Sequence, residues 1–393
     1  MRGVAALLVV FGHARGDVFT VRGLDPAGSG LLRLLLLPAS FAQEAVAVFF
    51  VLSGYLVGGQ VLRQARADRF DWRVYLAKRL SRLWTVLLPG LVLTALVDAV
   101  SRQIDAGRLA SLQAVHGDGV GQGLCNAAFL MPTRCLEFGS NESLWSLAYE
   151  FWFYVLFAGL TIGWYAARRG RRLIALVNLA VAVGSVALFG VQLLVLFPAW
   201  LIGVVVAEVQ SRSPRRDAPV APVWRQRAGW AGALALLGAA FLASNLLKLG
   251  DGVRELVIGL ATVPLVWLCL RTSSVPDRGW FRAGEWLGSW SYSLYVFHRP
   301  LVVLVVVASS GWWGDDPRAS TLALYVIAAV VAVAVYPLYR LTEHHTDRMR
   351  ALALRLVGRA PGSGPRHAAP RHAAGAPPAG STSVRAPSPA DPA

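Results

Sequence analysis

The chain has 393 residues, 55% of them hydrophobic and only 15% charged, with a formal net charge of +16 and a mean hydropathy of +0.51. That balance argues against an ordinary water-soluble globule, because runs such as Phe41 to Leu62 and Thr321 to Tyr339 supply the roughly 20 mostly apolar residues that a bilayer crossing needs. The runs are continuous rather than alternating at period two, which disfavours an outer-membrane barrel; three cysteines without metal-type spacing imply neither a disulfide framework nor a metal.

Ten spans are predicted in chain order, at 2–19, 42–62, 83–100, 143–165, 173–190, 191–207, 228–247, 253–270, 286–307 and 320–340. The first apolar run leads into His13 rather than into a small-residue cleavage site, so it reads as a span and not as a cleavable signal peptide. Gly190 and the Gly250 to Gly252 stretch mark tight reversals between neighbouring spans. Arg63 to Arg82 carries seven Lys or Arg, Arg168 to Arg172 four, Ser211 to Arg227 five and Arg271 to Arg282 three, against three each in 14–40 and 101–142. Cytoplasmic loops retain these residues, so the bias predicts an all-α polytopic membrane bundle of about ten transmembrane helices with both termini cytoplasmic. Residues 1–345 form one membrane domain on this reading, and 346–393 a basic Ala/Pro/Gly-rich tail, disordered from about 360. Positive-inside loops and the basic tail account for the net charge, so no nucleic-acid partner is needed.

An ionisable side chain inside a span is costly and marks a candidate site. Of seven histidines only His13 and His298 are embedded. Arg2 precedes His13 by eleven residues, which places the pair within about 20° of one another and about 16 Å apart along a helix. Arg at the cytoplasmic mouth and His near mid-membrane suit a long anionic ligand with a reactive far end; a flanking charge and a packed histidine are the alternative. Arg79 and Arg82 stand at i and i+3, neighbours on one face and able to grip phosphate, although charge retention alone also yields such a run. Glu150 lies in the aromatic span LWSLAYEFWFY, either as a site carboxylate or as a structural partner of Arg299 or His298. Ser291 to Pro300 forms a dense polar face with a proline kink. Cys125 and Cys135 share the outer loop 101–142 and can pair in an oxidising compartment, while Cys269 reads as a packing residue.

These residues, in this order, resemble the acyltransferase 3 family of integral membrane acyltransferases over about residues 2 to 345. The carriers are RGVAALLVVFGH from Arg2 to His13, FFVLSGYLV from Phe49, Arg79-x-x-Arg82, LWSLAYEFWFY from Leu144, FPAWLIGVVVAEV, SYSLYVFHRPL from Ser291 and YRLTEH from Tyr339. Two departures accompany the likeness: Met1 directly precedes Arg2 where relatives carry further residues, and Arg299 follows His298 where they commonly carry an aromatic.

The resemblance implies a membrane-only O-acyltransferase of the bacterial cytoplasmic membrane. It would move an acyl group, acetyl or longer, from cytoplasmic acyl-CoA to a hydroxyl of a carbohydrate or glycoside acceptor, with acyl-CoA as co-substrate and no permanently bound cofactor. His13 becomes the catalytic histidine, Glu150 its orienting carboxylate or an acceptor ligand, and Arg2, Arg79 and Arg82 the donor-phosphate binders. Ser53, Tyr295 and His298 occupy motif positions that fit substrate binding or orientation. A transporter or flippase of a sugar- or lipid-linked substrate is the rival, since buried polar groups among ten helices also describe a substrate pathway.

Overall fold

Residues 1–23, 30–112, 116–213, 222–271, 279–313 and 316–358 are described by a computed structural model; within them no strand occurs, and ten helices are long and apolar enough to cross a membrane. In order these are α1 (Arg2–Arg22), α2 (Ala42–Ser53, a π-helical turn over Gly54–Gly58, then Gly59–Arg66), α3 (Trp72–Ser111), α4 (Trp145–Arg168) and α5 (Arg172–Phe189). There follow α6 (Val191–Arg212), α7 (Val223–Leu246), α8 (Val253–Arg271), α9 (Ser291–Ser309) and α10 (Pro317–Leu341). Each predicted span overlaps one of these helices, except that the ninth, set at 286–307, runs across a break at Trp290 and takes its first residues from a separate helix, Gly279–Ser289; the expected reversals occur at Gly190 (φ +73°) and Gly252 (φ +82°), where a side chain would be strained.

α3 is much longer than expected. It runs from Trp72 to a kink at Asp105 (φ −159°, ψ 92°) before a last short stretch to Ser111, and the part before the kink extends about 50 Å at 1.5 Å per residue, well beyond the hydrocarbon thickness. The prediction of 83–100 missed the first turns because Arg73, Lys78, Arg79 and Arg82 break the apolar run; Asp71 caps them by accepting from the Arg73 N–H at 2.9 Å. A short helix, Thr346–Leu356, packs on α3 within the part expected to be tail; the segment expected to be disordered from about 360 lies outside the described residues.

The faces of the bundle are fixed by contacts between its ends. Arg171 grips Asp68 with two bonds of 3.0 and 2.7 Å, tying the α4–α5 connection to the α2–α3 connection. This pairing holds the Asp68 carboxyl below its ordinary pKa. Glu343, just past α10, accepts from the N–H and Oγ of Ser293 at the start of α9, each at 2.8 Å, so the chain leaves α10 on the basic face where α1 begins. At the opposite face Arg22 donates to the carbonyls of Ser310 and Trp313.

Burial separates the centre from the lipid-facing rim. In α9, 78% of the spanning window is buried, against 22% in α5 and in α7; exposed Leu173, Leu176 and Val183 on α5 face hydrocarbon, where apolar exposure carries no penalty. Cys269, expected to be a packing residue, is exposed on α8 for the same reason. α2 and α6 cross in close contact, since a Cβ at Gly54 would strike the Trp200 carbonyl oxygen and one at Gly203 that of Val51.

The segment leading into α4 is pinned from within. Cys125 and Cys135 form a disulfide. Asp98 of α3, fully buried, accepts from the Ser140 N–H at 2.8 Å and from its Oγ at 2.5 Å. Asn141 Nδ2 donates to the Val296 carbonyl of α9 at 3.0 Å. The next residue along is Glu142.

Candidate active site

Five helices, α1 to α4 and α9, enclose a cleft of about 700 Å³ including its mouth. Arg2 of α1 and Arg79 and Arg82 of α3 bring three guanidiniums into it, the three named from sequence spacing alone. Arg79 Nη2 donates to Gln60 Oε1 at 2.8 Å, and its guanidinium lies 5.6 Å from the Tyr75 ring centre and 5.9 Å from that of Tyr154. Arg2 and Arg82 form no hydrogen bond or ion pair with another described side chain. Three guanidiniums converge on a wall that holds one carboxylate, Glu150, with Glu343 close enough to act on Arg2 and Arg82; the balance stays positive, as a site for an anion needs.

The cleft wall is ordered by hydroxyls. Ser53 of α2 sits 3.1 Å from the Tyr154 hydroxyl and accepts from Trp200 Nε1 at 3.3 Å. The π-helical turn that follows Ser53 adds one residue to a turn of α2, a feature frequent at functional sites. Glu150, one turn before Tyr154 on α4, accepts from the Tyr154 hydroxyl at 2.5 Å. Tyr295 of α9 bonds Ser146 Oγ and donates to the Ser143 carbonyl at 3.1 Å.

His13 does not line this cleft; its ring belongs to a second cluster beyond Tyr295. His13 Nδ1 lies 2.9 Å from Glu142 Oε1, and the same oxygen accepts from Arg299 Nε at 3.0 Å. Arg299 Nη1 donates to Asp17. A carboxylate held by a guanidinium is an acceptor only, so Nδ1 of His13 carries a hydrogen, and in the neutral imidazole it is Nε2 that presents the lone pair. The His298 ring centre is 5.2 Å from that of His13 and 6.0 Å from that of Tyr295. His298 Nδ1 donates to the Tyr295 carbonyl at 2.7 Å, which turns its Nε2 toward Ser143 Oγ at 3.5 Å. The His13 side chain is 24% exposed and that of Glu142 36%, whereas Arg299 and Asp17 are shut in at 2% and 7%. The imidazole and its carboxylate partner are open, and the Arg299–Asp17 pair behind them is closed.

The structure thus gathers Arg2, Arg79, Arg82, Ser53, Glu150 and Tyr295 in one cleft and His13 with His298 next to it. It assigns the carboxylate differently from the sequence reading. The acid on His13 is Glu142, not Glu150, which stands eight residues and about 12 Å further along the same helical segment. Arg299 pairs with Asp17 and Glu142 rather than with Glu150. Asp17 was missed although it stands four residues after His13 on α1, a neighbouring position on the helix surface. Glu142 was passed over because it precedes the apolar run.

The acyltransferase-domain family matches residues 1–339 of the chain. No curated protein and no solved structure matches it. The chain therefore belongs to the acyltransferase 3 family and is a membrane acyltransferase.

Proposed function

We propose that this acyltransferase takes an acyl group from acyl-CoA, acetyl-CoA being the simplest donor, and places it on a hydroxyl of a carbohydrate or glycoside acceptor. The basic face is cytoplasmic on this reading, and the membrane is the plasma membrane of a bacterium. The single observation that carries the proposal is the polarity along α1. Arg2 joins Arg79 and Arg82 in a cleft at the basic end, and His13 stands about 16 Å deeper on nearly the same face. Phosphates of the donor would sit among the guanidiniums while the thioester is drawn inward past Ser53, Ser146 and Tyr295.

A thioester is already activated, so the protein has to align it, deprotonate the acceptor and stabilise the oxyanion. Nε2 of His13 takes the hydroxyl proton as the acceptor oxygen bonds to the thioester carbon. Glu142, on the opposite ring nitrogen, faces the positive charge that develops. The tetrahedral species collapses with cleavage of the carbon–sulfur bond, and the imidazolium returns its proton to the departing thiolate. Tyr295 gives its one hydrogen to the Ser143 carbonyl, so the candidate oxyanion donor is Ser146, whose hydroxyl hydrogen would have to turn from Tyr295 to the developing oxyanion.

The test uses the full chain in proteoliposomes with acetyl-CoA, following release of free CoA thiol in the presence of cell-envelope glycan. His13→Ala abolishes release while membrane insertion persists. Replacing both Arg79 and Arg82 by Ala raises the KM for acetyl-CoA about 10²-fold, from the loss of two charge-assisted contacts at about 1.5 kcal/mol each. Wild-type turnover in the His13 variant defeats the assignment. Movement of labelled glycan without CoA release makes the protein a transporter instead.

A further inference from the structure

The arginine of α9 has no part in donor binding, yet it is among the most enclosed side chains of the molecule, with 2% exposure. It bridges two carboxylates. Nε bonds the Glu142 oxygen that also receives His13 Nδ1, and Nη1 bonds Asp17. Asp17 is shut in and Glu142 reaches the cluster from a more open position; two carboxylates this close are both held ionised by the cation between them. A Glu142 that became protonated could donate to the imidazole instead of accepting from it, and the hydrogen on His13 would then move to the other nitrogen. A planar fork with fixed donor directions prevents this in a way a point charge would not, because one guanidinium satisfies both acids at once.

We infer that Arg299, locked by Asp17, is a positioning residue that keeps Glu142 an acceptor and thereby fixes His13 in the tautomer with its hydrogen on Nδ1 and the lone pair on Nε2. The catalytic consequence rests on the reading of His13 as the base; the tautomer itself does not. The charged and titratable groups around His13 are Glu142, His298, Arg299 and Asp17, and beyond Glu142 lies the buried Glu137, paired with His116 at 3.7 Å. Glu44 of α2, also buried, is bonded to Ser244 of α7 at 2.9 Å and takes no part in the cluster.

The experiment is nitrogen-15 NMR of histidine-labelled full chain in lipid nanodiscs, with the His13 signals identified by their loss in His13→Gln. Wild-type protein shows Nδ1 protonated and Nε2 bare. Arg299→Met carries the risk that Asp17 is left as an uncompensated buried charge and the bundle fails to insert. The pair Arg299→Met with Asp17→Asn removes that charge and tests positioning in a folded chain, and Asp17→Asn alone tests the lock. The double variant is expected to show at least half of His13 with hydrogen on Nε2, Arg299→Lys an intermediate population, and Asp17→Asn a smaller one. With acetyl-CoA as donor, kcat in the double variant falls about 10²-fold and KM stays within about twofold, because Arg2, Arg79 and Arg82 are untouched. A folded double variant with the wild-type tautomer overturns the inference. Absence of turnover in the wild-type chain would instead count against the proposed donor, and the NMR signal would still decide the role of Arg299.

Discussion

Replacing Glu142 by Gln separates the two carboxylates that sequence and structure assign differently. The amide keeps the size of the side chain and one oxygen acceptor, so Arg299 retains its bond to Asp17 and can still donate to the amide oxygen. What is lost is the charge opposite His13 and the certainty that the atom facing Nδ1 is an acceptor. Loss of a well-placed acid–base partner corresponds to about 10²–10⁴ in rate, or about 2.7–5.4 kcal/mol at 1.36 kcal/mol per decade. The fall should appear in kcat, with KM for acetyl-CoA within about twofold of wild type, because Glu142 lies outside the cleft that holds the three guanidiniums. The effect on stability should be small. A charge-assisted bond contributes about 1.5–3 kcal/mol, and this one is discounted because the Glu142 side chain is 36% exposed. Glu150→Gln is the matched control, since that carboxylate lines the cleft and bonds Tyr154, and its loss should act on KM. Initial rates of CoA release over a range of acetyl-CoA concentrations measure both constants. If Glu142→Gln retains kcat within threefold while Glu150→Gln loses two decades, the pairing of His13 with Glu142 does not serve the reaction.

Asp98→Asn should loosen the segment that carries Glu142, because the amide offers one acceptor where the carboxylate meets both the Ser140 N–H and its hydroxyl; the cost is about 1–3 kcal/mol. Faster hydrogen exchange at the Ser140 amide, with a lower kcat, is the expected reading, and unchanged exchange would show that the disulfide and Asn141 suffice. Gly203→Ala should lower the thermal midpoint in detergent micelles, since the new methyl would also lie 2.6 Å from the Tyr55 nitrogen. Backbone atoms cannot step aside, so α2 and α6 must part at a cost of about 1–3 kcal/mol or more. Gly184→Ala, with nothing within 4 Å, is the control expected to leave the midpoint unchanged or slightly raised.

The spans were legible because each is a local property of about 20 consecutive residues, and the bilayer asks nothing else of them. The cleft was legible in part for a related reason: Arg2 and His13 share one helix and Arg79 and Arg82 another, so spacing alone sets their relative directions. Contacts across the fold are a different matter. Asp17 and Arg299 are 282 residues apart, and nothing in either neighbourhood announces the other. Glu142 illustrates the harder case, because its identity as the partner of His13 depends on where the preceding segment is tied down, by Asp98 on α3 and through Asn141 on α9. Glu150 looked the better candidate in sequence only because it stood inside an apolar run, where an acid is conspicuous.

α9 links the two halves of the site. Tyr292 and Tyr295 line the cleft that holds the three guanidiniums, and His298 and Arg299 follow on the next turn in the cluster around His13. Every residue from Ser291 to Pro300 is buried, so this stretch has little freedom to shift its cleft-facing side chains without moving the others. A donor that displaced Tyr295 from Ser146 would act on the helix whose Tyr295 carbonyl holds Nδ1 of His298 and whose Arg299 holds Glu142. Rigid placement of this kind is what the proposed reaction needs, with the proposed phosphate-binding guanidiniums and the proposed base about 16 Å apart.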